Sequence, residues 1–309
     1  MTRLLALLLV LAAAARPVDQ PARVVVVLSA DAAPYQQALA GLRRDLLATM
    51  PHATLDVVAL HGDTAGVPDA LRAIRGGGVP AALVVTLGTL ATRTVIAEVH
   101  DIPIVAGMIL NAAELHSTAN ATGVYLEYPV DVQLDWLRRL LPDTRRVGVL
   151  YHGDEGAQRV VDARRVAAFA GGAFTVVAIR VADPADLPDA LAQLTNHADV
   201  LWSLNDPVIY NPETARSLLM FSLRNRIPLV GQSTAWVRAG ALYALDRDYD
   251  DVGVQCAELV ARILAGEAVG TLPPAPPRKV RYTLNRRTAA VLGFPLPDAV
   301  VRGAAEVVD

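Results

Sequence analysis

The chain has 309 residues, enough for two domains of ordinary size, each with its own core. Its formal charge is −3 with acids and bases interspersed, which excludes the basic stripe that a phosphate backbone requires and with it a nucleic-acid partner. Aromatic residues make up only 5% while Ala, Val and Leu dominate, so the core is built from small aliphatics on helices and strands.

At the start of the chain Arg3 gives a short positive region, residues 4–11 an apolar run, and Ala13-Ala14-Ala15 a small-residue cleavage pattern before Arg16-Pro17. The apolar stretch is well short of the roughly 20 residues that a spanning helix needs. Residues 1–15 are therefore expected to be a signal peptide and the mature protein periplasmic. The single cysteine, Cys256, lies far from this segment, so neither an N-terminal lipid anchor nor an internal disulfide is available. It sits in an apolar helical pattern with Val254, Ala257, Leu259 and Val260, and core packing is the expected role.

From residue 24 onward short β-branched runs alternate with longer segments of helical period, the pattern of α/β folds with parallel sheets. Strands are predicted at 24–28, 55–60, 83–86 and 104–106, with helices near 35–50, 69–75 and 89–100 between them. A second series has strands at 147–150, 174–181, 200–204 and 228–230, with helices near 158–170, 187–196 and 214–226. The strands are nearly continuous in Val, Ile and Leu, as expected when both faces of a sheet are covered. Two such series imply two similar lobes. Extended segments at 122–129, 240–245 and 280–285 are candidate crossings between them, the last following the stiff run Pro273-Pro274-Ala275-Pro276-Pro277.

Signatures of catalysis are missing from the sequence. There is no nucleophile elbow, Walker A loop or dinucleotide fingerprint, and Gly76-Gly77-Gly78 precedes a strand and reads as a turn. His52, His61, His100, His116, His152 and His197 never recur at i, i+3 or i, i+4, so no metal and no cofactor is expected. Asp248, Asp250 and Asp251 read as the acidic start of a helix.

Small and polar residues concentrate just after the strands, where open α/β sheets bind ligands. The first series offers Ser29, Asp31, Tyr35, Gly88, Thr89 and Met108; the second offers Tyr151, Asn205, Asp206 and Gln232, with Tyr128 near the junction. Each has a plainer reading: Ser29 and Thr89 as helix caps, Asn205-Asp206-Pro207 as a turn. Recurrence at the same end of both series favours a ligand cleft. Backbone amides at Gly88-Thr89 would suit an anion. Asp206 or Asp31 would suit an ammonium group, while Tyr35, Tyr128, Tyr151, Tyr210 and Trp202 would cover an apolar or aromatic portion. A zwitterion such as an amino acid fits all three features.

Asn120-Ala121-Thr122-Gly123-Val124, the stretch QLDWLRRLLP at 133–142, and Arg146-Val147-Gly148-Val149-Leu150-Tyr151 resemble the substrate-binding component of ABC transporters, in the family labelled an uncharacterised transport system, periplasmic component, whose relatives bind aromatic amino acids. Ala198-Asp199 leading to Asn205-Asp206, Ser222-Leu223-Arg224-Asn225-Arg226-Ile227-Pro228, Ala239-Gly240-Ala241-Leu242, and Asp248-Tyr249 with Gly253 continue the likeness. It implies a type I periplasmic-binding-protein fold, two doubly wound parallel-sheet lobes joined by three crossovers. The lobes are then 22–126 plus 247–279, and 127–246 plus 280–309. The chain departs from the amino-acid-binding relatives in carrying Met108-Ile109-Leu110-Asn111 where they have a Thr-Asp-Pro-like turn.

The function so implied is non-enzymatic: a monomer that captures a small polar ligand by lobe closure and delivers it to an ABC permease in the membrane. A periplasmic sensory module for a membrane receptor would use the same cleft. A periplasmic α/β enzyme is a third reading, against which no nucleophile, base and orienter occur in recognisable order. Export is expected to cleave after Ala15; removing Arg3, the only charged residue of the segment, takes the net charge from −3 to −4. N-terminal sequencing of periplasmic protein should read Arg-Pro-Val, and an intact Met1 on a membrane-bound product would refute the cleavage.

Overall fold

The structure is a computed structural model that describes residues 22–76, 79–169 and 174–309; the expected signal peptide and Gly77-Gly78 lie outside these residues. The chain forms two compact units. The first runs to Glu127 and adds Asp248–Arg278; the second is Tyr128–Arg247 with Lys279–Asp309. The chain therefore passes from one unit to the other at 127/128, 247/248 and 278/279.

In the first unit the order is β1 (Arg23–Leu28), α1 (Ala33–Thr49), β2 (Thr54–Ala59), α2 (Val67–Arg75), β3 (Leu83–Leu87), α3 (Thr89–Glu98), β4 (Ile104–Ile109) and β5 (Ala121–Tyr125). The strands make one parallel sheet in the order β2-β1-β3-β4-β5. The valine run of β1 explains its central place. Val24, Val26 and Leu28 pack on one face against α1, and Val25 and Val27 on the other against α2 and α3. At the edge, β2 exposes Thr54 and Asp56, and Asp56 pairs with Arg23 at 2.7 Å. The proline-rich run is extended as expected: Ala275 exchanges backbone hydrogen bonds with Gly123 and Tyr125 beside β5.

The second unit contains α4 (Val130–Leu140), β6 (Arg146–Tyr151), α5 (Gly153–Phe169), β7 (Thr175–Arg180), α6 (Leu187–Leu194), β8 (Val200–Trp202), α7 (Pro212–Asn225), β9 (Leu229–Gly231), α8 (Thr234–Ala239) and β10 (Tyr243–Arg247). After the excursion through the first unit the chain returns as β11 (Val280–Asn285), α10 (Arg286–Leu292), α11 (Asp298–Gly303) and β12 (Glu306–Val308). The sheet order is β12-β11-β10-β9-β8-β6-β7, parallel except where β11 runs against β10. Leu134, Leu137 and Val160 cover one face, and Leu191, Leu194 and Leu218 the other.

The excursion is α9 (Tyr249–Leu264), which closes the first unit. Val252, Cys256, Ala257, Val260 and Ile263 make its buried stripe, recurring at helical spacing. Asp248 caps it by accepting from the Asp251 amide at 3.1 Å, with Asp250 and Asp251 in the first turn facing the positive end of the dipole. Its backbone meets that of α1 directly. A Cβ on Gly253 would overlap the Ala38 carbonyl oxygen and come within 2.7 Å of the Leu42 nitrogen; one on Gly41 would overlap the carbonyl of Asp250. Arg44 adds a bidentate pair to Asp250 at 2.8 and 2.7 Å. Gly253→Ala is expected to cost about 1–3 kcal/mol, overpacking outweighing the better helix propensity of Ala. Urea unfolding should show a lowered midpoint at unchanged slope; an equal or higher midpoint would refute the backbone contact.

Candidate functional site

In the first unit the carboxyl ends of β1 and β3 bring together three of the expected residues. Ser29 is buried; its amide donates to the Leu87 carbonyl at 2.9 Å, and its Oγ accepts from the Ala91 amide at 2.9 Å. Gly88, the residue before α3, has φ +104°, a region that favours glycine. A side chain there would overlap Ser29 Oγ and come within 2.7 Å of the Tyr35 ring, so the approach of Ser29 and Tyr35 requires the glycine. Ser29 thus supplies, from the neighbouring strand, the cap that Gly88 cannot. The amide of Gly88 donates to the Gly107 carbonyl at 2.8 Å, which removes it from the expected anion site. Among the described residues no partner is found for the Thr89 and Leu90 amides at the start of α3.

Asp31 and Met108 are placed otherwise than expected. Asp31 turns to the loop after β2, where its carboxylate pairs with the His61 ring, both exposed. Met108 is 6% exposed and packs in the core with Val105, Val124 and Cys256. The register shifts between Gly107 and Ile109, and Met108 takes φ +61°, so the bulge turns its side chain to the face that Val105 occupies. Just beyond the end of the same strand Leu110, within the stretch that departs from the relatives' turn, is 53% exposed.

In the second unit the loops after β6 and β8 are tied to each other by Asp206. Its Oδ2 accepts from the His152 amide at 2.7 Å, and its Oδ1 from the amides of Val208 at 3.1 Å and Ile209 at 3.3 Å. The carboxylate is 6% exposed and organises backbone first of all. Gln232, after β9, donates to the Leu204 carbonyl, and Arg159 of α5 donates to the Asn205 carbonyl at 2.8 Å. Arg159 escaped the sequence reading because at i+4 from Glu155 it looks like an ordinary surface pair, which it also makes at 2.8 Å. Tyr151 is partly buried beside Gly156, near Asp206.

Three of the aromatic residues expected over a ligand belong to the interior instead. Trp202 is buried and donates its indole N–H to Gln133 Oε1 at 3.1 Å. Tyr210 is buried edge-on to Trp236, and burial pushes its phenol far above the usual range. Tyr128 is 3% exposed, with its hydroxyl 2.9 Å from the carbonyl oxygens of both Asp246 and Lys279. Buried aromatics with a polar tip need such partners, and these two lie more than a hundred residues away in the chain.

Among the described residues no cluster of three or more His, Cys, Asp or Glu could hold a metal, and no helix is long and apolar enough to cross a membrane. The chain matches the ABC transporter substrate binding protein family over residues 37–308. It is 24% identical over 220 residues to a tyrosine-binding protein of Clostridioides difficile, a match covering 68% of this chain. The matched part spans 62% of that relative's length. The ligand-free, open structure of a substrate-binding protein with adhesive properties from Clostridium difficile superposes with a TM-score of 0.75 at 18% identity, covering 93% of this chain and 99% of that one. An ABC domain in complex with L-Trp from Streptococcus pneumonia gives a TM-score of 0.59 at 20% identity, covering 94% and 100%. The fold is that of type I periplasmic binding proteins.

Truncating Asp206 leaves three amides without their acceptor. Asp206→Ala is expected to lower stability by about 3 kcal/mol, and Asp206→Asn, which retains an acceptor oxygen, by roughly half of that. Chemical denaturation of the two variants checks the order; equal and negligible losses would show that the carboxylate does not hold the loops.

Proposed function

We propose, since the chain belongs to the ABC transporter substrate binding protein family, that it captures a small zwitterion, an aromatic amino acid foremost, and delivers it to the permease of an ABC importer. The family match over nearly the whole chain carries the reading. The names of two relatives, one tyrosine-binding and one in complex with L-Trp, supply the ligand class. Members of such families bind solutes and are not catalysts. The protein acts as a soluble periplasmic monomer once residues 1–15 are removed.

The strand-end residues suit such a ligand. The Thr89 and Leu90 amides at the start of α3 would receive a carboxylate, beside Ser29 and Tyr35. A carboxylate offers about four acceptor positions, and three amides reach Asp206, so Oδ2 retains one for an ammonium group. Asn205, Gln232 and Tyr151 would complete the second unit's share. Capture would proceed by closure of one unit upon the other, the hinge movement of two-lobed binding proteins.

Calorimetry with L-tryptophan and L-tyrosine should give micromolar dissociation constants, about −8.2 kcal/mol. A hundredfold excess over that constant should stabilise the protein by about 2.7 kcal/mol. Indole-3-propionate, which lacks the ammonium group, should bind roughly 2 to 5 kcal/mol more weakly. X-ray scattering should show compaction with tryptophan. Absence of binding heat for both amino acids would remove the ligand class, and binding without compaction would remove the closure.

A further inference from the structure

The strand ends of the second unit hold another carboxylate besides Asp206. β10 runs parallel to β9 with Ala244 against Gly231, so Asp246, two residues on, stands level with Ser233 and just beyond Gln232. Across the antiparallel pairing with β11 it faces Arg281, and opposite charges in directly opposed positions ordinarily pair. Here they do not. Arg281 is exposed, and among the described residues neither side chain makes an ion pair.

The carboxylate of Asp246 is held instead by its own strand and by α8. Its Oδ1 accepts from the Arg247 amide at 2.8 Å and its Oδ2 from the Thr234 hydroxyl at 3.3 Å. The buried Thr283 hydroxyl lies 2.9 Å from that of Thr234, so Thr283 donates to Thr234 and Thr234 to Asp246. A carboxylate offers about four acceptor positions, and two of these are left. Beside it Gln232 donates its side-chain N–H to the Leu204 carbonyl, which leaves Oε1 as an acceptor. Both residues are partly buried, so the end of β9 and β10 offers acceptors and no cation to meet them.

Asp206 and Asp246 do not act on one group. Asp206 follows β8 and Asp246 lies near the end of β10, with β9 between them, a separation of two strand spacings or about 10 Å. Asp206 moreover sends Oδ2 toward the other side, to the His152 amide after β6. An ammonium group bridges two oxygens only about 6 Å apart. A ligand with its ammonium group at Asp206 therefore has its far end for Asp246.

We propose that Asp246 is a specificity-determining residue that accepts a hydrogen bond from the far end of the ligand's side chain, the phenol O–H of tyrosine or the indole N–H of tryptophan, and so selects these amino acids over phenylalanine. The inference rests on the solute-capture reading and names what its site discriminates. A donor in that place makes a charge-assisted hydrogen bond. Phenylalanine has the same ring without the donor, and its binding would withdraw Asp246 from water with nothing in return, which is how a site built around a hydroxyl rejects the analogue that lacks it.

Calorimetry on the whole protein with L-tyrosine, L-tryptophan and L-phenylalanine tests this. Wild type should bind tyrosine about ten to a hundred times more tightly than phenylalanine, the range of a hydrogen bond to a charged group. In Asp246→Ala the two should bind within about twofold of each other, with tyrosine weakened and phenylalanine not. Asp246→Asn keeps the shape and an acceptor for the Arg247 amide but turns an NH2 group toward the ligand's donor, and should lose the preference as well. The ratio of the two affinities separates a contact from a structural role, since a disturbed strand end would weaken both ligands alike. An unchanged ratio in both variants, or wild type binding tyrosine and phenylalanine equally, would overturn the assignment of Asp246 and leave solute capture standing. Absence of binding heat for all three amino acids would remove the ligand class and this inference with it.

Discussion

Backbone against backbone is the contact on which the first unit depends. Gly41 of α1 and Gly253 of α9 leave no space for a Cβ on either side, and the two helices settle at a distance that only glycine allows. Because α9 arrives after the chain has built most of the second unit, the sheet face formed by Val24, Val26, Leu83 and Val85, which α1 covers in part, is completed only once the chain has crossed out and returned. Apolar area of this kind is the main favourable term in folding, so the first unit completes its core with a segment distant in sequence. The cost is borne in loop-closure entropy, which grows slowly with length and makes such discontinuity tolerable.

The same helix settles the chemistry of the only cysteine. Cys256 lies in the stripe beneath the sheet, where a Cβ on Gly107 would come within 2.7 Å of its Sγ. Burial raises the thiol to about 12, so it stays protonated at neutral pH and lacks the thiolate that oxidation requires. A lone thiol is thereby compatible with an oxidising compartment without a disulfide partner.

What the sequence made legible follows from how far each determinant reaches along the chain. The valine run of β1 and the acidic start of α9 carry their reasons locally, in side-chain alternation and in a helix dipole, and both elements form where the pattern puts them. Met108 carries no such mark. Its left-handed backbone belongs to a bulge set by the pairing of β4 with β5, and methionine is not a residue type that announces one. Tyr128 and Trp202 look like ligand covers in a chain poor in aromatics, yet their hydrogen-bond partners lie at separations that no local pattern encodes. Ser29 does cap a helix, but one that follows a different strand from its own.

The strand ends of the two units are shaped by different physical means. In the first, conformation does the shaping: Gly88 at φ +104° and Met108 at φ +61° set the course of the loops, and Ser29 and Tyr35 fill the space that a missing side chain leaves. In the second, a buried carboxylate gathers amides from two loops. These devices leave opposite electrostatic residues. Amides at the start of a helix leave partial positive charge where their donors point outward, and a carboxylate with three amide donors keeps a net negative charge that those dipoles only partly offset. On the solute-capture reading, a ligand bearing one charge of each sign is therefore favoured over one bearing either alone. A neutral solute would leave both the helix start and Asp206 without the counterpart that their desolvation calls for, a difference of binding energy and hence of specificity.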